Sequence, residues 1–161
     1  MTFSTRPEIR GSFGVATSTH WIASTVGFGI LEKGGNAFDA AAATGFVLQV
    51  VEPHLNGPAG DLPIIFYDAK AEETKVVCAQ GVTPAAATIE HYEEQGLRLI
   101  PGSGLLSTVV PGAFDGWLLM LRDHGSMSLR EVLQPAIDYA RDGHPVLPRV
   151  SNTIKGLADY F

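Results

Sequence analysis

A chain of 161 residues, 45% hydrophobic and 17% charged, holds enough apolar material for one well-covered core and does not have the composition of a disordered segment. A formal net charge of −6 argues against non-specific attraction to nucleic acid or to an anionic membrane face. The single cysteine, Cys78, excludes an internal disulfide and a thiolate metal cluster.

Residues 1–11 are polar and include Pro7, Glu8 and Arg10, without the apolar run behind a basic head that marks a secretory leader. The longest near-apolar run, residues 40–51, is interrupted by Thr44 and Gln49 and is too short to span a bilayer. The expectation is a cytoplasmic protein with no membrane contact. The hydroxyls of Thr17, Ser18 and Thr19 predict a capped helix over residues 20–33, stopped by Gly34-Gly35. Asn36 caps a second helix over 37–51, closed by Glu52-Pro53. Its small residues, Ala40 to Ala43 and Gly45, let another backbone approach and place it between layers.

Turn signals at Asn56-Gly57-Pro58 and Gly60-Asp61 make residues 54–63 a loop. Strands over 62–67 and 75–80 follow, joined by a polar connection that predicts a hairpin. Ile64, Ile65, Phe66, Val76 and Val77 form apolar runs rather than strict alternation, which predicts a sheet covered on both faces. Thr88 caps a short helix reaching Gln95, and residues 97–107 are glycine-rich loop. Pro111-Gly112 starts a helix with Phe114, Trp117, Leu118 and Leu121 at helical spacing. Ser128 and Glu131 form a capping box for the next helix, whose stripe is Leu129, Val132, Leu133, Ala136, Ile137 and Ala140. Pro135 within that stripe predicts a kink near Glu131, and Gly143 ends the helix. Residues 147–161 begin another helical pattern. Its apolar end, with Leu157, Tyr160 and Phe161, reads as a break inside a domain.

The general motifs of catalysis are missing. Gly102-Ser103-Gly104 is a flexible loop rather than a nucleophile elbow, and Gly27-Phe28-Gly29 lies inside a helix rather than after a strand. Neither H-E-x-x-H nor a histidine pair at helical spacing occurs, so neither metal nor cofactor is expected. Asp138, Arg141 and Asp142 read as a solvated face. Thr19 beside His20 invites comparison with an N-terminal nucleophile, but that chemistry needs a free α-amine, and helix capping accounts for the threonine. His54, at the mouth of the loop, is read as structural rather than as a general base. Cys78, between Val77 and Ala79, is expected to be a buried, inert thiol.

Taken together, several strings resemble the opening of the γ-glutamyltransferases. They are Gly14-Val15-Ala16-Thr17-Ser18, the run from Leu31 through Glu32-Lys33-Gly34-Gly35-Asn36-Ala37-Phe38-Asp39-Ala40-Ala41, and Val51-Glu52-Pro53-His54. Tyr67-Asp68-Ala69-Lys70, Thr83-Pro84 through Thr88, Val110-Pro111-Gly112, and Leu133-Gln134-Pro135-Ala136-Ile137 with Gly143 and Pro145 continue the match, so it runs from about Gly14 to Asn152. The resemblance implies a layered α/β fold, the N-terminal-nucleophile hydrolase αββα sandwich. Residues 1–161 would be the N-terminal portion of its large subunit, an incomplete domain.

It further implies a precursor that cleaves itself. The new N-terminal threonine, on a small-subunit half absent from this chain, would attack the γ-glutamyl amide of glutathione-like donors. This chain alone would then be inactive and would need that half as its partner, with a small-molecule amide as substrate. The family's large subunit supplies an arginine that clamps the donor's α-carboxylate. Here Gln80 stands at that position, within Cys78-Ala79-Gln80-Gly81-Val82-Thr83-Pro84, and it is the one substrate-binding residue implied. A neutral amide in its place gives up roughly 1–2 kcal/mol of carboxylate binding. The loop Gly57-Pro58-Ala59-Gly60-Asp61 also has fewer glycines than the family's. Two alternatives follow: an amide acylase of the β-lactam type on the same fold, and a non-catalytic truncated remnant.

Overall fold

The computed structural model describes residues 8–158 except residue 103. The order of elements is α1 (Trp21–Glu32), α2 (Ala37–Val51), β1 (Leu62–Asp68), β2 (Glu73–Ala79), α3 (Ile89–Glu94), a 3-10 turn (Leu105–Ser107), α4 (Ala113–His124), α5 (Leu129–Asp142) and α6 (Pro148–Gly156). Ser103 of the glycine-rich loop, and Tyr160 and Phe161 of the last helical pattern, lie outside the described residues.

Helix α2 is the centre of the molecule. It packs on α1, α4 and α5, and its Ala42, Ala43, Phe46, Val47 and Val51 are buried with Ile22 and Ile30 of α1, Met120 of α4 and Val132 of α5. The slim alanine run explains the close packing, as the sequence predicted. Asn36 accepts from the N–H groups of Phe38 and Asp39, while Asp39 accepts from the Asn36 N–H, so a reciprocal capping box fixes the start. Asp39 is itself buried. Its carboxylate also accepts from the Ser126 hydroxyl at 2.6 Å and from the N–H groups of Ser126 and Met127, tying the start of α2 to the α4–α5 connection. Burial by itself would raise the Asp39 pKa. The bonds from Ser126, Asn36 and Met127 outweigh that and hold it below the ordinary value.

At α1 the capping differs from the expectation. His20, not a hydroxyl of 17–19, is the capping residue, and its Nδ1 accepts from the Ile22 N–H at 3.2 Å. Ser18 instead braces the His20 backbone and the Ser24 hydroxyl, and Thr19 reaches a distant glutamate. Capping therefore does not account for Thr19.

Strands β1 and β2 pair antiparallel in register from Leu62 opposite Ala79 to Asp68 opposite Glu73. Side chains alternate along both. Ile64 and Phe66 turn toward the helices, and the Phe66 ring meets those of Phe38 and His124 at centroid distances of 5.0 and 4.8 Å. Ile65 and Val76 point the other way and are 75% and 67% exposed. The apolar runs thus supply two apolar faces, as expected, but residues 8–158 cover only one. Helix α5 starts with the predicted Ser128–Glu131 capping box and continues through Pro135 to Asp142. Only Val132 and Ala136 of its stripe are buried, while Leu129 and Ile137 remain exposed. Arg141 pairs with Asp138 and Asp142 on a solvated face, as read from the sequence. No described helix is long and apolar enough to cross a membrane.

Candidate functional site

Gln80 follows β2 directly, where three segments are stitched together. The Val110 N–H donates to the Val82 carbonyl at 3.0 Å. The Gly112 and Ala113 N–H groups donate to the Gly60 carbonyl at 3.3 and 2.9 Å, and the Phe114 N–H donates to the Pro58 carbonyl at 3.2 Å. The exit of β2, the turn-rich loop and the entry to α4 therefore form one seam. Two glycines make it possible. A Cβ on Gly81 would stand 1.6 Å from the Val110 carbonyl oxygen, and one on Gly112 would stand 2.5 Å from that of Ala79. No side chain fits at either position, so the backbone around Gln80 is held by geometry that only glycine permits.

The Gln80 side chain is exposed at this seam. Its Oε1 accepts from the Cys78 thiol at 3.5 Å, and its two amide N–H groups have no acceptor among the described residues. Cys78 is exposed, contrary to the expectation of a buried thiol. The reason is strand alternation: positions 76, 78 and 80 share the outer face of the hairpin, while 77 and 79 face the helices. The hydrogen-bond partner of Cys78 is an amide rather than a base, so nothing beside the thiol is placed to activate it as a nucleophile.

A second polar cluster lies where α1 begins, α2 ends and α6 begins. Glu52 is 0% exposed. Its carboxylate accepts from the Arg149 guanidinium on one oxygen and from the Thr19 hydroxyl on the other, and Arg149 also donates to the Thr19 carbonyl at 3.4 Å. The His20 ring is buried beside them. In the sequence Glu52 stands out as a helix stop and as part of the Val51-Glu52-Pro53-His54 string, not as half of a buried ion pair, and Arg149 does not stand out at all. The available signal was a glutamate at a helix C-terminus, where the dipole disfavours negative charge and a cation must compensate. His54 is half-buried, and its Nδ1 has no hydrogen-bond partner among the described residues, so the structure pairs it with no acid or nucleophile. Among the described residues, no three His, Cys, Asp or Glu side chains are grouped so as to hold a metal.

The family profile described as Gamma-glutamyltranspeptidase matches residues 23–161. The chain is 40% identical over 140 residues to the Glutathione hydrolase-like YwrD proenzyme of Bacillus subtilis (strain 168), covering 86% of this chain and 26% of that protein. It is 38% identical over 154 residues to the Acylase ACY 1 proenzyme of Pseudomonas sp. (strain SE83), covering 89% and 27%. Among solved structures, LmbA2991T421A superposes with a TM-score of 0.95 at 52% identity, over 99% of this chain and 27% of that one. The gamma-glutamyltranspeptidase of Helicobacter pylori superposes at 0.87 with 32% identity, over 95% and 44%. The chain spans about a quarter of the length of the curated relatives it matches. Sequence and backbone agree over nearly all of it, and the fold is the partly covered N-terminal-nucleophile hydrolase fold. The chain belongs to the gamma-glutamyltranspeptidase family, of which it is the N-terminal region.

Proposed function

We propose that the whole protein cleaves γ-glutamyl amides of glutathione-like donors and passes the acyl group to water or to an amine. A threonine nucleophile on a small-subunit half outside residues 1–161 would do the chemistry. This chain would supply one wall of the donor site and be inactive alone, and the assembled protein would be cytoplasmic. The observation that carries the reading is Gln80. It stands exposed on a glycine-locked seam, at the position where the family resemblance expects the carboxylate clamp. An amide with its oxygen held by Cys78 presents N–H donors, the right polarity for a carboxylate.

The neutrality of Gln80 favours a second reading, an acylase whose donor lacks that carboxylate, and a named acylase stands among the relatives at 38% identity. One substitution separates the two. With Gln80→Arg in the full-length protein, the KM for γ-glutamyl-p-nitroanilide should fall about tenfold with kcat little changed, the difference between a charged and a neutral hydrogen bond. The KM for 4-aminobutyryl-p-nitroanilide, which has no carboxylate, should not move. If the natural protein cleaves the carboxylate-free amide better, and Gln80→Arg improves neither, the acylase reading replaces the first.

A further inference from the structure

The polar cluster at the base of α1 contains a group that the proposed function does not use. His20 is 1% exposed. Because its Nδ1 accepts from the Ile22 N–H, that nitrogen carries no proton, and the neutral ring must carry its proton on Nε2. Nε2 is buried with no partner among the described residues. A second proton would have to enter at Nδ1, where it would meet the Ile22 N–H and abolish the cap of α1.

Among the described residues, no free acceptor waits for the resulting cation. From α6, Arg149 reaches the carbonyl of Thr19, the residue next to His20, and both Arg149 and His144 of the connection before α6 disfavour positive charge on the ring. From the end of α2 the nearby anion is Glu52, whose two oxygens are already engaged by Arg149 and Thr19. Burial, His144 and Arg149 in turn push the His20 pKa below its ordinary value.

Helix α6 is the part free to yield. Among the described residues, Val150 is its one buried side chain, and its hydrogen bonds to other elements run through Arg149 alone, to Glu52 and to the Thr19 carbonyl. Helices α1 and α2, by contrast, share a continuous apolar core.

We propose that His20 is an acid-sensitive latch: its neutral ring lets Arg149 seat α6 on Glu52 and Thr19, and its protonation frees α6 from α1 and α2. This is a device of the fold and stands whichever amide the protein cleaves.

The test is amide hydrogen exchange on the protein produced from its own gene, at pH 7.5 and 5.5, with chemical exchange rates corrected for pH. In the wild type, protection of residues 147–157 should fall by up to about tenfold. That is the most one histidine with an ordinary pKa near 6.5 in the open state supplies at pH 5.5. His20→Asn keeps a capping oxygen for the Ile22 N–H and cannot titrate, so it should hold α6 equally at both pH values. Side-chain NMR of the wild type gives an independent reading, in which the midpoint of α6 release must coincide with the titration of His20. Unchanged protection in the wild type at pH 5.5 overturns the latch. So does the same acid loss in His20→Asn, or a release that follows His144 or the carboxylates.

Discussion

Gln80 and Cys78 show how alternation along one strand decides chemistry. Both were identified in the sequence, but the thiol was assigned to the interior because its neighbours Val77 and Ala79 are apolar. In a two-residue repeat, the neighbours of an outward residue are inward by construction, so their apolarity says nothing about position 78. Thr19 is the converse case. Its hydroxyl cluster suggested a cap, yet the cap is an imidazole and the hydroxyl serves a carboxylate thirty-three positions away. Partners that distant leave no trace in local pattern.

Two substitutions test these contacts. Gly81→Ala in the full-length protein should cost about 2–3 kcal/mol, because the added carbon meets backbone that cannot turn aside. Denaturant unfolding at constant m-value would show it, and a neutral result would mean the seam around Gln80 is loose. Asp39→Ala should cost about 3 kcal/mol, since it strips acceptors from Asn36, Ser126 and Met127 at once. The pH dependence follows from the direction of each shift. The folded pKa of Asp39 lies below its unfolded value, so its contribution is complete above about pH 4 and is lost as pH falls through the folded pKa. The folded pKa of His20 is likewise depressed, but from 6.5, so its contribution is complete above that value and erodes first on acidification. Stability measured against pH should therefore decline in two stages, and His20→Asn should remove the earlier one.

At the scale of elements the sequence was informative where local chemistry decides. The starts of α2, α3 and α5 are set by Asn36, Thr88 and Ser128, which were read directly. The hairpin and its polar connection were equally plain, and its turn is held by Asp68, which accepts from the Lys70 and Ala71 N–H groups and from the Lys75 ammonium. What pattern did not disclose was how much of each apolar stripe this chain covers. The stripe of α5 is a well-formed helical face, yet only Val132 and Ala136 are buried. Helix α4 buries Ala113, Gly116, Met120 and Leu121; of its predicted stripe, Leu121 is buried and Trp117 packs against the core, while Phe114 stays exposed and Gly116 presses against Ala79 of β2. Periodicity reports which residues can share a face, and the neighbours decide which part of it is dry.

At the scale of the molecule, the exposed Ile65, Tyr67 and Val76 form an apolar sheet face in a chain that spans about a quarter of its curated relatives. Among the described residues the sheet has two strands, and with such a face it is poorly suited to stand alone. The 161-residue chain expressed alone should bind a hydrophobic dye and self-associate, as checked by light scattering. A monodisperse monomer with a cooperative thermal transition would show that these residues fold independently.

The proposal that this chain is one wall of an amide-cleaving enzyme, completed by a threonine-bearing half, is tested most directly by the mass and the γ-glutamyl-p-nitroanilide turnover of the protein produced from its own gene. Two fragments are expected, one of them beginning with threonine, with turnover that disappears when that threonine is replaced. A single unprocessed, inert chain would contradict it.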